Sequence, residues 1–98
     1  MDDRHRSMWR ALEDSVLRGP GHTPPALRQA AATRGELPPH LVAFVDQIHR
    51  HAYRITDEDL AALRAHCNED ELFEIIVAAA LGAASARLSA GLRALEDA

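Results

Sequence analysis

The sequence predicts an all-α fold, a single small helical domain of about five helices that ends in one long helix rich in small residues. Three observations carry that reading. The 98 residues are rich in Ala, Leu, Arg and Glu and only 4 % aromatic, a composition whose summed propensity favours helix. No stretch alternates apolar and polar residues with the two-residue period of a strand. The run Ile75-Ile76-Val77-Ala78-Ala79-Ala80-Leu81-Gly82-Ala83-Ala84-Ser85-Ala86 carries no charge. A helix with a solvated face would show polar residues every third or fourth position, so this one must be covered on nearly every side, by its own chain or by a second copy.

The elements follow in order. Asp2 to Leu17 reads as a first helix with Met8, Trp9, Leu12 and Val16 on one side and Asp2 and Asp3 near its positive end. Trp9 either anchors this helix to the domain or buries itself in a partner, and anchoring is the expectation. Gly19-Pro20-Gly21 ends the helix. Thr23-Pro24-Pro25 restarts the chain, with Thr23 as N-cap, and Gly35 is placed to close the short second helix. That helix has little apolar bulk and is expected to be the loosest part of the fold.

Leu37-Pro38-Pro39 opens a third helix, in which Leu41, Phe44, Val45, Ile48, Ala52 and Ile55 recur at helical spacing and Asp46 pairs with Arg50. Thr56 with Asp59, then Asn68 with Glu71, form two capping boxes that open the fourth and last helices. The last helix runs to about Leu95. One side carries Phe73, Val77, Leu81, Ala84, Leu88, Leu92 and Leu95 near a 3.5-residue repeat, expected to pack within the subunit. The other carries Ala78, Gly82, Ala86 and Ala90 at four-residue spacing, expected to admit a close neighbour and serve as the interface of a homo-oligomer.

A chain this short makes one folding unit, divided here into an N-terminal helical arm over residues 1–35 and a core over residues 36–98. Its small buried fraction makes oligomerisation a common remedy. The formal charge of -4 argues against a general nucleic-acid surface. A helix-turn-helix outline over residues 56–80 would present Glu69, Asp70 and Glu71 to phosphates, which repel them. The single cysteine, Cys67, excludes an internal disulfide and fits a reducing compartment. No charged-then-apolar leader opens the chain, and the uncharged run is shorter than the roughly 20 residues a bilayer requires. A cytoplasmic protein with no membrane and no nucleic-acid partner is expected.

The second half resembles the C-terminal helices of the carboxymuconolactone decarboxylase and alkylhydroperoxidase D-like family. The resemblance rests on Ile55-Thr56-Asp57-Glu58-Asp59-Leu60-Ala61-Ala62-Leu63, on Asp70-Glu71-Leu72-Phe73-Glu74-Ile75, on Ala78 to Ala84, and on Arg87-Leu88, and covers about residues 40–95. It implies the family's helical fold and oligomeric habit. Peroxidase-type members use two cysteines separated by two residues, one to attack and one to resolve the disulfide. Cys67 stands alone after His66, so the activity does not carry over.

The remaining chemistry is sparse. His49 and His51, two apart on a helix, point to different faces and chelate a metal poorly; no metal and no cofactor is expected. Glu74 flanks the uncharged run and needs a partner if buried, with Arg54, Arg87 or a histidine available. Cys67 lies near a helix N-terminus, but the carboxylates of Glu69, Asp70 and Glu71 oppose a reactive thiolate. The leading expectation is a non-catalytic, family-derived assembly or interaction module, which could serve as the small partner of an enzyme. The alternative is an enzyme or ligand-binding protein with an inter-helix pocket lined by the weak catalytic candidates Glu74, His49, His51 and Tyr53.

Overall fold

A computed structural model describes residues 2–97 as five α-helices and one 3-10 turn, with no strand among the described residues. In chain order these are α1 (Asp3–Arg18), α2 (Pro25–Thr33), α3 (Pro39–His51), the 3-10 turn Ala52–Arg54, α4 (Asp57–Leu63) and α5 (Glu69–Asp97). At about 1.5 Å per residue α5 sets the longest dimension of the molecule, 46 Å. The all-α expectation is met.

The local signals act as their chemistry requires. Asp2 accepts from the His5 amide at the head of α1. Thr56 and Asp59 bond each other's backbone amides at 3.1 and 3.0 Å. Asn68 and Glu71 repeat that reciprocal bond at 3.0 and 2.9 Å. Each box satisfies two amides that the first helical turn would leave unpaired. Asp46 meets Arg50 at 3.2 Å, as expected, and Arg34 at the same distance.

The core lies where α2 and α3 cross the first half of α5. Leu41, Phe44, Val45 and Ile48 from α3 and Leu63 from α4 meet Leu72, Ile75, Ala78 and Ala79 of α5, with Ala31 of α2 completing the cluster. Three expectations are corrected here. The second helix is not loose. Ala31 is fully buried, Ala32 and Arg28 nearly so, because small side chains let two backbones approach closely and so replace bulk with proximity. Thr23 does not cap α2; the N-cap is Pro24, and the Thr23 side chain turns to α5 instead. The small-residue side of the last helix is not a free face over its first half. A Cβ on Gly82 would overlap the carbonyl oxygen of Ala32 and stand 2.5 Å from its carbon, so Ala78 and Gly82 face α2 of the same chain. Ala86 and Ala90, further along that side, are exposed.

The 3.5-residue seam is correspondingly the outer one. Phe73 and Leu95 are 67 % and 75 % exposed, Ala84 is exposed, and Val77, Leu81, Leu88 and Leu92 are half-buried. α1 runs antiparallel along one edge of it. Trp9 donates through its indole Nε1 to Ser85 Oγ at 3.4 Å, which is the anchoring role, and Val16 lies beside Phe73 and Val77 at the other end.

α5 is also long and apolar enough to cross a membrane by length and composition, with a mean hydropathy of 1.7 over an 18-residue window. The sequence reading placed that stretch below spanning length. The helix continues past the isolated Arg87 through Leu88 and Leu92, and that continuation restores the length. Its first half is committed to the core described above.

Candidate functional site

The polar group most firmly built into the fold surrounds Glu74. Its Oε2 accepts from the His22 amide at 2.7 Å, and its Oε1 accepts from the Thr23 amide at 2.9 Å and the Thr23 hydroxyl at 2.6 Å. Gly21 makes the approach possible, since a Cβ there would stand 2.8 Å from Oε1. The carboxylate therefore pins the α1–α2 connection onto α5.

Arg28 supports the same connection from α2. Its guanidinium, 3 % exposed, donates to the carbonyls of Val16 at 2.7 Å, Gly19 at 2.5 Å and Thr23 at 3.4 Å. Gln29 adds a bond to the Leu17 carbonyl at 3.3 Å. The last turn of a helix presents carbonyls with no partner of their own and a partial negative charge. Arg28 supplies donors and positive charge at that end of α1. Its Nε points at Glu74 Oε1 from 3.9 Å and makes no hydrogen bond.

Hydrogen bonding from Thr23 is the main reason the Glu74 carboxyl sits at a pKa of about 2, against an ordinary 4.5; partial burial works the other way, and the His22 amide and ring reinforce the lowering. Three donors stabilise the charged form only, so Glu74 is a fixed anion and a poor proton donor at neutral pH. A carboxyl whose folded pKa is depressed adds stability above the unfolded pKa and loses it as pH falls through the folded one. After discounting for screening at its exposed edge, this amounts to roughly 1–2 kcal/mol. Urea unfolding of Glu74→Gln and the parent at neutral pH should differ by that amount. The gap should close as pH drops from about 4.5 towards about 2; a constant gap across that range would show that the charge contributes nothing.

The other candidates are not brought to Glu74. His49 places Nε2 2.8 Å from the Ala31 carbonyl, and its own carbonyl accepts from Arg87 at 2.9 Å. His51 and Tyr53 are exposed at the end of α3, their rings 5.7 Å apart edge to face, with Arg54 over the Tyr53 ring. The pocket expected from Glu74, His49, His51 and Tyr53 therefore does not form, because the helix ends at His51 and the 3-10 turn carries Tyr53 outward. Cys67 is half-buried, and burial first, then the Glu71 carboxylate, raises its pKa, which keeps the thiol protonated. Among the described residues no group of three or more His, Cys, Asp or Glu side chains could hold a metal ion.

A second constellation lies across α5. Ser85 Oγ donates to Glu13 Oε1 at 3.2 Å while accepting from Trp9. Glu13 and Ser85 edge a groove of about 340 Å³ whose far wall is the end of α2 and His49. Sequence reading missed Arg28, Thr23, Glu13 and Ser85. Thr23 before two prolines imitates a cap, and Arg28 in an alanine-rich helix resembles a solvated charge. Searches against protein-family models, curated proteins and solved structures find no match to this chain.

Proposed function

We propose that this chain is a non-catalytic helical assembly module that pairs with a second copy of itself along α5, in the cytoplasm. The observation that supports this is the outer seam of α5, where exposed Phe73, Ala80, Ala84 and Leu95 recur at heptad-like spacing with half-buried Val77 and Leu88. Met8 and Leu12 of α1, 64 % and 47 % exposed, add apolar surface from the neighbouring helix. Contiguous apolar surface of this kind marks an interaction site, and a two-fold pairing is the commonest closed arrangement.

The resemblance to alkylhydroperoxidase D-like helices agrees with this reading, and a fixed Glu74 anion and a protonated Cys67 fit a module without catalysis. Sedimentation of the full chain tests it. Ala84→Glu places a carboxylate on an exposed position, so its monomer should keep its helicity while self-association weakens by at least about tenfold, the equivalent of about 1.4 kcal/mol. A parent chain that sediments as a monomer, or an Ala84→Glu variant that associates like the parent, would overturn the reading.

A further inference from the structure

We propose that the groove between α1, the end of α2 and α5 binds a small zwitterion, an α-amino acid with a compact apolar side chain. The site borders the outer seam at Leu81, and all of its lining comes from one chain. Its floor is α5 at Gly82, Ser85 and Ala86, and its walls carry opposite charges, Glu13 from α1 on one side and Arg34 from the end of α2 on the other. A volume of about 340 Å³ falls at the small end of ligand pockets.

Each charged group has spare capacity. Glu13 engages only Oε1, with Ser85, and its Oε2 makes no hydrogen bond among the described residues. Arg34 uses Nη1 on Asp46 at 3.2 Å, which leaves Nη2 and Nε for a carboxylate. His49 adds an acceptor. Its Nε2 faces the Ala31 carbonyl, and in the tautomer that donates there Nδ1 is an acceptor. An ammonium group suits Glu13 and His49, a carboxylate suits Arg34, and Leu17 and Leu81 supply apolar surface beside them.

The backbone of the α2 C-cap carries this residue, with the Arg34 amide donating to the Ala30 carbonyl. Arg34 is the one residue among those described with positive φ, at φ 56 and ψ 42, although Gly35 follows it directly. A left-handed arginine costs about 1–2 kcal/mol relative to glycine. That conformation closes α2 and leaves Arg34 in the lining of the groove.

The test is a titration of the full chain with L-leucine, followed by amide NMR. Two probes run beside it: leucinamide, which lacks the carboxylate, and 4-methylpentanoate, which lacks the ammonium. Leucine should shift the Gly82, Ser85 and Ala86 amides saturably, and each analogue should bind at least about tenfold more weakly. Glu13→Gln should abolish the preference over 4-methylpentanoate. Arg34→Asn, which tolerates the left-handed backbone, should abolish the preference over leucinamide. No saturable shift by about 10 mM leucine, or an analogue that binds as well as leucine, would overturn the proposal, as would variants that leave both preferences intact.

Discussion

Gly82→Ala is expected to destabilise the protein by about 2–3 kcal/mol, although alanine is the better helix former by about 1 kcal/mol. The reason is the identity of the atoms a methyl group would meet. All three nearest atoms are backbone atoms of Ala32, the farthest of them 2.6 Å from the new carbon. A flexible side chain could swing away; a helix backbone cannot. α2 must lift from α5, and Ala31 and Ala32 then lose the contacts that bury them. For a domain of about 100 residues this lowers the melting temperature by roughly 10–20 °C. Gly91→Ala is the control, since nothing lies within 4 Å of its Cβ position, and it should raise stability by up to about 1 kcal/mol. Thermal unfolding of the pair decides the matter. Similar shifts for both would mean that α2 does not rest on Gly82.

Arg28→Met should cost more, about 3–5 kcal/mol. Methionine fills much of the volume, so the loss is polar. The carbonyls of Val16 and Gly19 lose their donors, and each unsatisfied buried group costs about 1–3 kcal/mol. Glu74 retains its three bonds to residues 22 and 23 but loses the positive charge behind it. Arg28→Lys should recover little, because one ammonium cannot reach carbonyls in three directions with the fork of a guanidinium. Denaturant unfolding with circular dichroism measures both variants. A Lys variant as stable as the parent would show that charge alone, without the planar donor geometry, holds the end of α1.

Much of the fold was legible in the sequence because its signals are local. A capping box needs only four residues, so Thr56 to Asp59 and Asn68 to Glu71 could be read directly and stand as read. Apolar periodicity likewise identified Leu41, Phe44, Val45 and Ile48 as core. The orientation of α5 was not legible. With apolar residues on every side of Ile75 to Ala86, hydrophobicity supplies no direction, and closeness of approach decides which face is covered. The polar centre was half legible. Glu74 stood out beside an uncharged run, but its partners are backbone amides, which have no signature in sequence. Arg28 was hidden for the same reason, since what buries it is a set of carbonyls brought together only by the turn at residues 19–23.

No residue of α1 is fully buried, whereas the connection that follows it is bonded to Glu74 and Arg28. The molecule thus has a graded resistance to opening, since segments with few buried contacts detach at lower free energy than the whole. Val16, the first residue that Arg28 holds, is the point where that gradient breaks. The turns of α1 before it can peel away as one unit while α2, α3 and the first half of α5 stay folded. Their detachment would uncover Ser85, which Trp9 and Glu13 bond. They could then reseat on their own α5 or on that of another copy, with the same contacts in either place. The Arg28 bonds to the end of α1 thereby set how much of the chain two molecules could trade.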